Sequence, residues 1–431
     1  MIKSRLLPVL GIIALTSSSI GAGDRTVERF AGYSPAAEVK GPAYADEWEA
    51  VQNLDFTSAQ ALGWNEKHPV FAAGLKALMA GDYGAAQRSF NLILETSADS
   101  LERRQAGNVL REVLLFQSKW SELLALDLRH ALGLDENNIM ALVRAYQTAP
   151  TETWIFPERG VEVKAWFGLA GAPEIEVEIN GNRKRFLIDT GAEFTVLASD
   201  LAEACGVEPL SSEKTLSETS TDAKVLILPA VVRELRIGAL AVKNHPVIIL
   251  DKKDLEFKLF GLIKIFKISG ILGWNAIKRM DITLDYRGRI VRIQKPAEKK
   301  NPARNFFWMG YPFIKVASPS GRVLHFGLDT GANETYVSDL IFSKIDTAGM
   351  KTKRVRIGGA GGKLESVQTR EIPRLQMVIG SNLLTFKGVR CGKSIEDTFF
   401  KFDGILGSDA AKDGIMRLDF TNGRFELDFS E

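Results

Sequence analysis

The sequence predicts a multidomain chain: an all-β pair of barrel-like lobes related by a pseudo-twofold axis, preceded by an α-helical domain. Three observations carry this. Apolar residues recur at three- and four-residue spacing up to about residue 149, then switch to a period-two alternation that persists to the C-terminus. The β-rich part contains one pattern twice, Asp189-Thr190-Gly191-Ala192 and Asp329-Thr330-Gly331-Ala332. Downstream of each lies the same short apolar segment, Gly270-Ile271-Leu272-Gly273 and Gly404-Ile405-Leu406-Gly407. Self-similarity of that kind marks a duplicated unit.

The chain has 431 residues, 45% apolar and 25% charged, enough for more than one core. Its 55 basic and 53 acidic residues nearly cancel, so nothing in the balance points to nucleic acid or an anionic membrane. Lys3 and Arg5 precede an apolar run from Leu6 to Leu15, followed by Thr16-Ser17-Ser18-Ser19 and Gly21-Ala22-Gly23-Asp24. That order predicts a signal peptide over residues 1–23, and the run is too short to span a bilayer. With no other segment long and apolar enough, the mature protein is expected to be soluble and exported, periplasmic or secreted, without a stable membrane span. No cysteine near the expected cleavage point offers a lipid anchor.

Residues 46–149 read as helical. Leu75, Leu78 and Met79, then Ala86, Phe90, Ile93 and Leu94, fall on helical spacing, with Gly81-Asp82 as the break. A second stretch runs from Val109 through Leu126, broken at Ser118-Lys119. Gly74, Gly81, Tyr83, Ala86 and Phe90 resemble the small/large pattern of a tetratricopeptide hairpin, over about one repeat well and a second poorly. A protein partner is expected here; shielding of a cleft or plain stabilisation are the other roles open to such a domain.

Two lobes are expected at residues 160–295 and 305–431, joined by a basic, proline-bearing linker at 296–304. In each, an apolar lead-in (Phe186-Leu187-Ile188, Phe326-Gly327-Leu328) brings the chain to the aspartate, and a threonine follows at the sixth position (Thr195, Thr335). Upstream hairpins turn at Asn180-Gly181 and at Pro319-Ser320-Gly321. After Gly273 and Gly407 the copies stay in register to Leu284-Asp285 and Leu418-Asp419, then turn at Gly288 and Gly423 into a closing strand.

These residue types suit a cleft. A buried strand delivers the carboxylate, the glycine two places on permits a tight turn and close approach of another chain, and Thr190 and Thr330 can hydrogen-bond across to one another. A lone Asp-Thr-Gly is a common turn. Two copies with matched flanks place an ionisable group at the end of a buried strand twice, which is costly without a partner.

The paired Asp-Thr-Gly-Ala loops, each with its sixth-position threonine and later Ile-Leu-Gly, resemble the retropepsin-like and pepsin-like aspartic proteases over residues 160–431. Alanine after each glycine and the short halves are more similar to the retropepsin branch, whereas two halves in one chain are similar to the pepsin branch. The resemblance implies an aspartic endopeptidase with Asp189 and Asp329 as catalytic pair, supported by Thr190, Gly191, Ala192, Thr330, Gly331 and Ala332. It implies direct attack of water on an extended polypeptide substrate, no metal or organic cofactor, and a monomer acting as an intramolecular pseudo-dimer. It also implies a hairpin flap. Gly358-Gly359-Ala360-Gly361-Gly362 is the expected tip in the second half, with Ser217 to Asp222 as a glycine-free counterpart and no flap tyrosine of the pepsin kind. The alternative is a peptide-binding or scaffold protein that keeps the fold without catalysis. The two cysteines, Cys205 and Cys391, are read either as a pair or as separate buried thiols. They and the four scattered histidines lack metal-ligand spacing. No Gly-x-Ser-x-Gly elbow or phosphate-binding loop is present.

Overall fold

The computed structural model describes residues 25–33, 41–130, 139–167, 171–211, 215–218, 224–259, 263–297, 303–358, 364–392 and 398–430. The expected signal peptide and most of the expected linker lie outside the described residues.

Between residues 46 and 149 the described chain is helical. Helices Pro69–Met79 and Tyr83–Thr96 form one hairpin, Ser100–Phe116 and Trp120–His130 a second. The breaks fall where polar residues and backbone freedom put them. Gly81 takes φ +81°, and Asp82 then caps the next helix by accepting from Ala85 N at 2.8 Å. Ser118, in the second break, also has positive φ. The hairpin can close tightly because Gly74 faces Phe90, whose ring would lie 2.8 Å from any added Cβ.

The β region holds a 13-stranded and a nine-stranded sheet. In the first lobe, Pro173–Ile179 and Asn182–Ile188 form a hairpin on the Asn180-Gly181 turn, both with positive φ. In the second, Pro312–Ala317 and Val323–Leu328 do the same across residues 318–322. Each second strand then runs parallel to its Ile-Leu-Gly segment. Phe186, Leu187 and Ile188 pair Gly270, Ile271 and Leu272; Phe326, Gly327 and Leu328 pair Gly404, Ile405 and Leu406.

One sheet crosses between the lobes. Asp281–Asp285 and Ile415–Asp419 lie antiparallel, with Thr283 opposite Arg417. Those two residues stand equally far beyond Gly273 and Gly407, so the strand pair is centred on matching positions and the two copies face each other across it. A further strand enters from the beginning of the chain: Arg25–Arg29 pairs antiparallel with Asn382–Arg390 of the second lobe.

The helical domain packs on both lobes. Phe116 lies 4.7 Å from Trp308 and 5.4 Å from Phe420, and Phe420 meets Trp274 edge-on at 5.1 Å. Tyr146 stacks on Phe194, and its hydroxyl donates to Val247 O at 2.7 Å. On the second lobe Phe71 stacks on Phe399, and Lys401 N donates to Gln52 O at 2.6 Å. The domain's core runs on without a break into Met309, Tyr311, Tyr336 and Phe402.

Candidate active site

Asp189 and Asp329 each follow the last buried residue of a strand whose end is fixed by Ile-Leu-Gly: Asp189 N donates to Leu272 O at 3.1 Å and Asp329 N to Leu406 O at 3.0 Å. The chain then turns so that Asp189 Oδ1 accepts from Gly191 N and Ala192 N at 2.8 and 3.2 Å. Asp329 Oδ1 accepts from Gly331 N and Ala332 N at 2.9 and 3.0 Å.

The two loops are clamped to one another. Thr190 N donates to Thr330 Oγ1 at 3.1 Å and Thr330 N to Thr190 Oγ1 at 3.0 Å. Each hydroxyl passes its own proton onward, Thr190 Oγ1 to Leu328 O at 2.7 Å and Thr330 Oγ1 to Ile188 O at 2.8 Å. Each threonine thereby closes on the other lobe's loop and on the strand that leads into it.

Glycine at 191 and 331 is required by the opposite carboxyl. A methyl on Gly331 would lie 2.6 Å from Asp189 Cγ, and one on Gly191 would lie 2.7 Å from Asp329 Cγ. The carboxyls therefore face each other over the glycines, both fully buried. Burial first, then the charge of Asp329, push Asp189 well above the usual carboxylate range. Asp189 Oδ2 is buried without a hydrogen-bond partner.

Thr195 and Thr335, the sixth-position threonines, receive Gly273 N and Gly407 N at 3.3 and 3.1 Å. Their own partners are Asn275 and Asp409, two residues beyond each of those glycines: Thr195 Oγ1 donates to Asn275 Oδ1 at 3.0 Å and Thr335 Oγ1 to Asp409 Oδ1 at 2.7 Å. Sequence reasoning passed over Asn275 and Asp409, although their shared offset from Ile-Leu-Gly was readable. In the first lobe His245 Nε2 joins Thr195 Oγ1 at 2.9 Å.

Sequence reasoning also missed Tyr311. Its hydroxyl would lie 2.7 Å and Asp329 Oδ2 2.8 Å from a methyl on Gly191, so the two share the space over that glycine. Burial raises the pKa of Tyr311, helped by the Asp329 charge.

Paired strands flank both expected flap segments. Lys351–Gly358 pairs with Leu364–Ile379, closing with Gly358 opposite Leu364; Gly359, Ala360, Gly361 and Gly362 lie outside the described residues. In the first lobe Thr215–Glu218 pairs with Lys224–Ile237, and residues 219–222 of the expected counterpart likewise lie outside. Cys205 and Cys391 are both free thiols. Among the described residues no group of three His, Cys, Asp or Glu side chains is arranged to hold a metal ion, and no helix is long and apolar enough to cross a membrane.

Residues 175–276 match the model of the aspartyl protease family. This segment is aspartyl-protease-like. It contains Asp189 and the first Ile-Leu-Gly, and ends before the second copy. Among solved structures, a retropepsin-like aspartic protease from Rickettsia conorii is similar at 15% identity. The likeness covers 34% of this chain and 95% of that one, with a TM-score of 0.22. Basic 7S globulin from soybean is similar at 11% identity over 64% of this chain and 96% of its own, with a TM-score of 0.35. Comparison with curated proteins gives no match.

Proposed function

We propose that the chain is an aspartic endopeptidase whose two lobes supply one carboxyl each. The observation that carries this is the buried meeting of Asp189 and Asp329 over Gly191 and Gly331, with the loops locked by Thr190 and Thr330. Two carboxylates about 3 Å apart repel by roughly 5 kcal/mol at an effective dielectric of about 20, so a pair that close holds a single proton over a wide pH range. Its ionised member removes a proton from a water molecule, and its protonated member gives its proton to the oxygen of the scissile carbonyl as the water oxygen bonds to carbon. No covalent bond to the enzyme forms: the tetrahedral adduct collapses as its C–N bond breaks and the nitrogen takes up the proton that the pair removed from the water.

An extended polypeptide is the substrate class that fits, held by main-chain hydrogen bonds between the lobes beneath the Lys351–Ile379 hairpin. Both carboxyls are enclosed, so a substrate reaches them only when their cover moves. The helical domain abuts the segment that leads to Tyr311, with buried Glu112 beside Gly310. Export outside the cytosol, supported by the Lys3-to-Asp24 pattern, and partner recruitment by the helical domain complete the reading.

The test is digestion of an unfolded protein by wild type, Asp189→Asn and Asp329→Asn. Each substitution is expected to lower cleavage by a factor of about 10³ or more, because either change removes a proton-transfer partner. Cleavage unaffected by either would overturn the assignment.

A further inference from the structure

The clamp and the turns obey the twofold relation between the lobes, but the surroundings of the two carboxyls do not. In the first hairpin Glu174 stands opposite Leu187, two residues before Asp189; in the second Phe313 stands opposite Gly327, two before Asp329. The preceding prolines, Pro173 and Pro312, therefore correspond, and so do the residues before them. Those are Ala172 in the first lobe and Tyr311 in the second. Both are buried, and only one carries a hydroxyl.

That hydroxyl reaches the pair from the Asp329 side. It shares the space over Gly191 with Asp329 Oδ2, the two lying 2.7 and 2.8 Å from the place a Cβ there would take, and the Asp329 charge acts on it ahead of that of Asp189, while Asp189 Oδ2 has no hydrogen-bond partner. A tyrosine hydroxyl donating to a carboxylate stabilises the ionised form. Its ring is fixed among Phe402, Tyr336 and Ile405, so the hydroxyl is held at a set place before any substrate binds. Tyr336 also acts on Tyr311, Arg390 lies over the Tyr336 ring at 4.4 Å, and Glu112 stands beside neighbouring Gly310.

We propose that Tyr311 is a positioning residue that decides which member of the pair carries the shared proton, keeping Asp329 as the anion and Asp189 as the acid. The inference rests on the peptidase reading for its consequence: Asp329 then accepts the proton of the attacking water, and Asp189 delivers its proton to the carbonyl oxygen. Its electrostatic content stands without turnover. The Tyr311 hydroxyl has no counterpart at Ala172, and a nominally equivalent pair thereby acquires two fixed roles.

Carboxyl-labelled aspartate followed by NMR through a pH titration reads this directly. In the Asp189→Asn and Asp329→Asn variants the remaining partner titrates without a charged twin, which separates the two sites. Asp329 is expected to titrate at lower pH than Asp189. Adding Tyr311→Phe, which keeps the ring, is expected to raise Asp329 by roughly one pH unit and to leave Asp189 nearly unmoved. In the otherwise native enzyme, Tyr311→Phe is expected to move the acid limb of kcat/KM upward by a similar amount, because that limb reports the base of the free enzyme. Equal titration of the two aspartates, or equal displacement of both by Tyr311→Phe, would overturn the proposal. If the NMR result holds and no peptide is cut, the assignment of Tyr311 stands and the peptidase reading falls. If peptides are cut and the NMR asymmetry is absent, the reverse follows.

Discussion

Thr190 is the residue on which the geometry of the pair turns. Its hydroxyl donates to Leu328 O, accepts from Thr330 N, and is itself buried. Thr190→Val keeps the shape and deletes both bonds, leaving a carbonyl and an N–H without partners in a dry site. At about 1–3 kcal/mol for each orphaned group, the expected loss is roughly 2–6 kcal/mol in denaturant unfolding. Adding Thr330→Val should cost less than a second full increment, because the four bonds form one network. An unchanged unfolding midpoint for Thr190→Val would show that the clamp contributes nothing. The threonines were readable in the sequence because both occur at the same place in a repeat. Tyr311 was not, since it lies where the repeat departs from itself, and only the hairpin registers show that it stands over against Ala172.

At the scale of elements, the Ile-Leu-Gly segments show why the second glycine is there. An added Cβ on Gly273 would fall 2.2 Å from Phe194 O, and one on Gly407 would fall 2.7 Å from the Glu334 carbonyl carbon. In both lobes the crossing is with main chain, which cannot swing aside. Gly273→Ala and Gly407→Ala are each expected to destabilise by about 1–3 kcal/mol and to lower activity by displacing the Asp loops. Normal stability and activity in both variants would refute that account. The hairpins around these segments were legible, the first from Asn180-Gly181 and the second from Pro319-Ser320-Gly321, since two-residue and glycine-bearing turns carry their own backbone requirements. The strand Arg25–Arg29 was not legible. Five residues with three of them charged have no strand signal of their own, and their conformation is supplied by the partner strand.

At the scale of the whole molecule, the seam between helical domain and first lobe contains two titratable groups displaced toward neutrality. Burial, with Glu112 next, raises the carboxyl of Glu193 to about 8. Burial, with Arg279 next, lowers Lys278 to about 7; its ammonium also donates to Phe116 O. Glu193 holds its proton in the folded chain and has lost it in the unfolded chain between about pH 4.5 and 8, so stability falls with rising pH through that window. Lys278 acts oppositely and only above about pH 7, where the unfolded chain holds the additional proton. The protein is therefore expected to be more stable near pH 5 than near pH 7.5. Glu193→Gln should flatten the difference by roughly 2 kcal/mol, measured by denaturant unfolding at both values. An identical pH dependence in wild type and Glu193→Gln would disprove it. This seam joins parts far apart in sequence, Phe116 with Lys278 and Tyr146 with Phe194, so neither periodicity nor repeat foretold it. The helical domain and the duplicated halves were each visible alone, and their assembly was not.

The strand at Arg25–Arg29 has a consequence for how the protein comes into being. It finds its neighbour only at Asn382–Arg390. At typical elongation rates of about 5–20 residues per second, that neighbour emerges from the ribosome some tens of seconds later. Through that interval the earliest part of the sheet waits, exposed, for nearly the last. Biogenesis thus has to keep an incomplete polypeptide from finding partners among its siblings until its tail arrives.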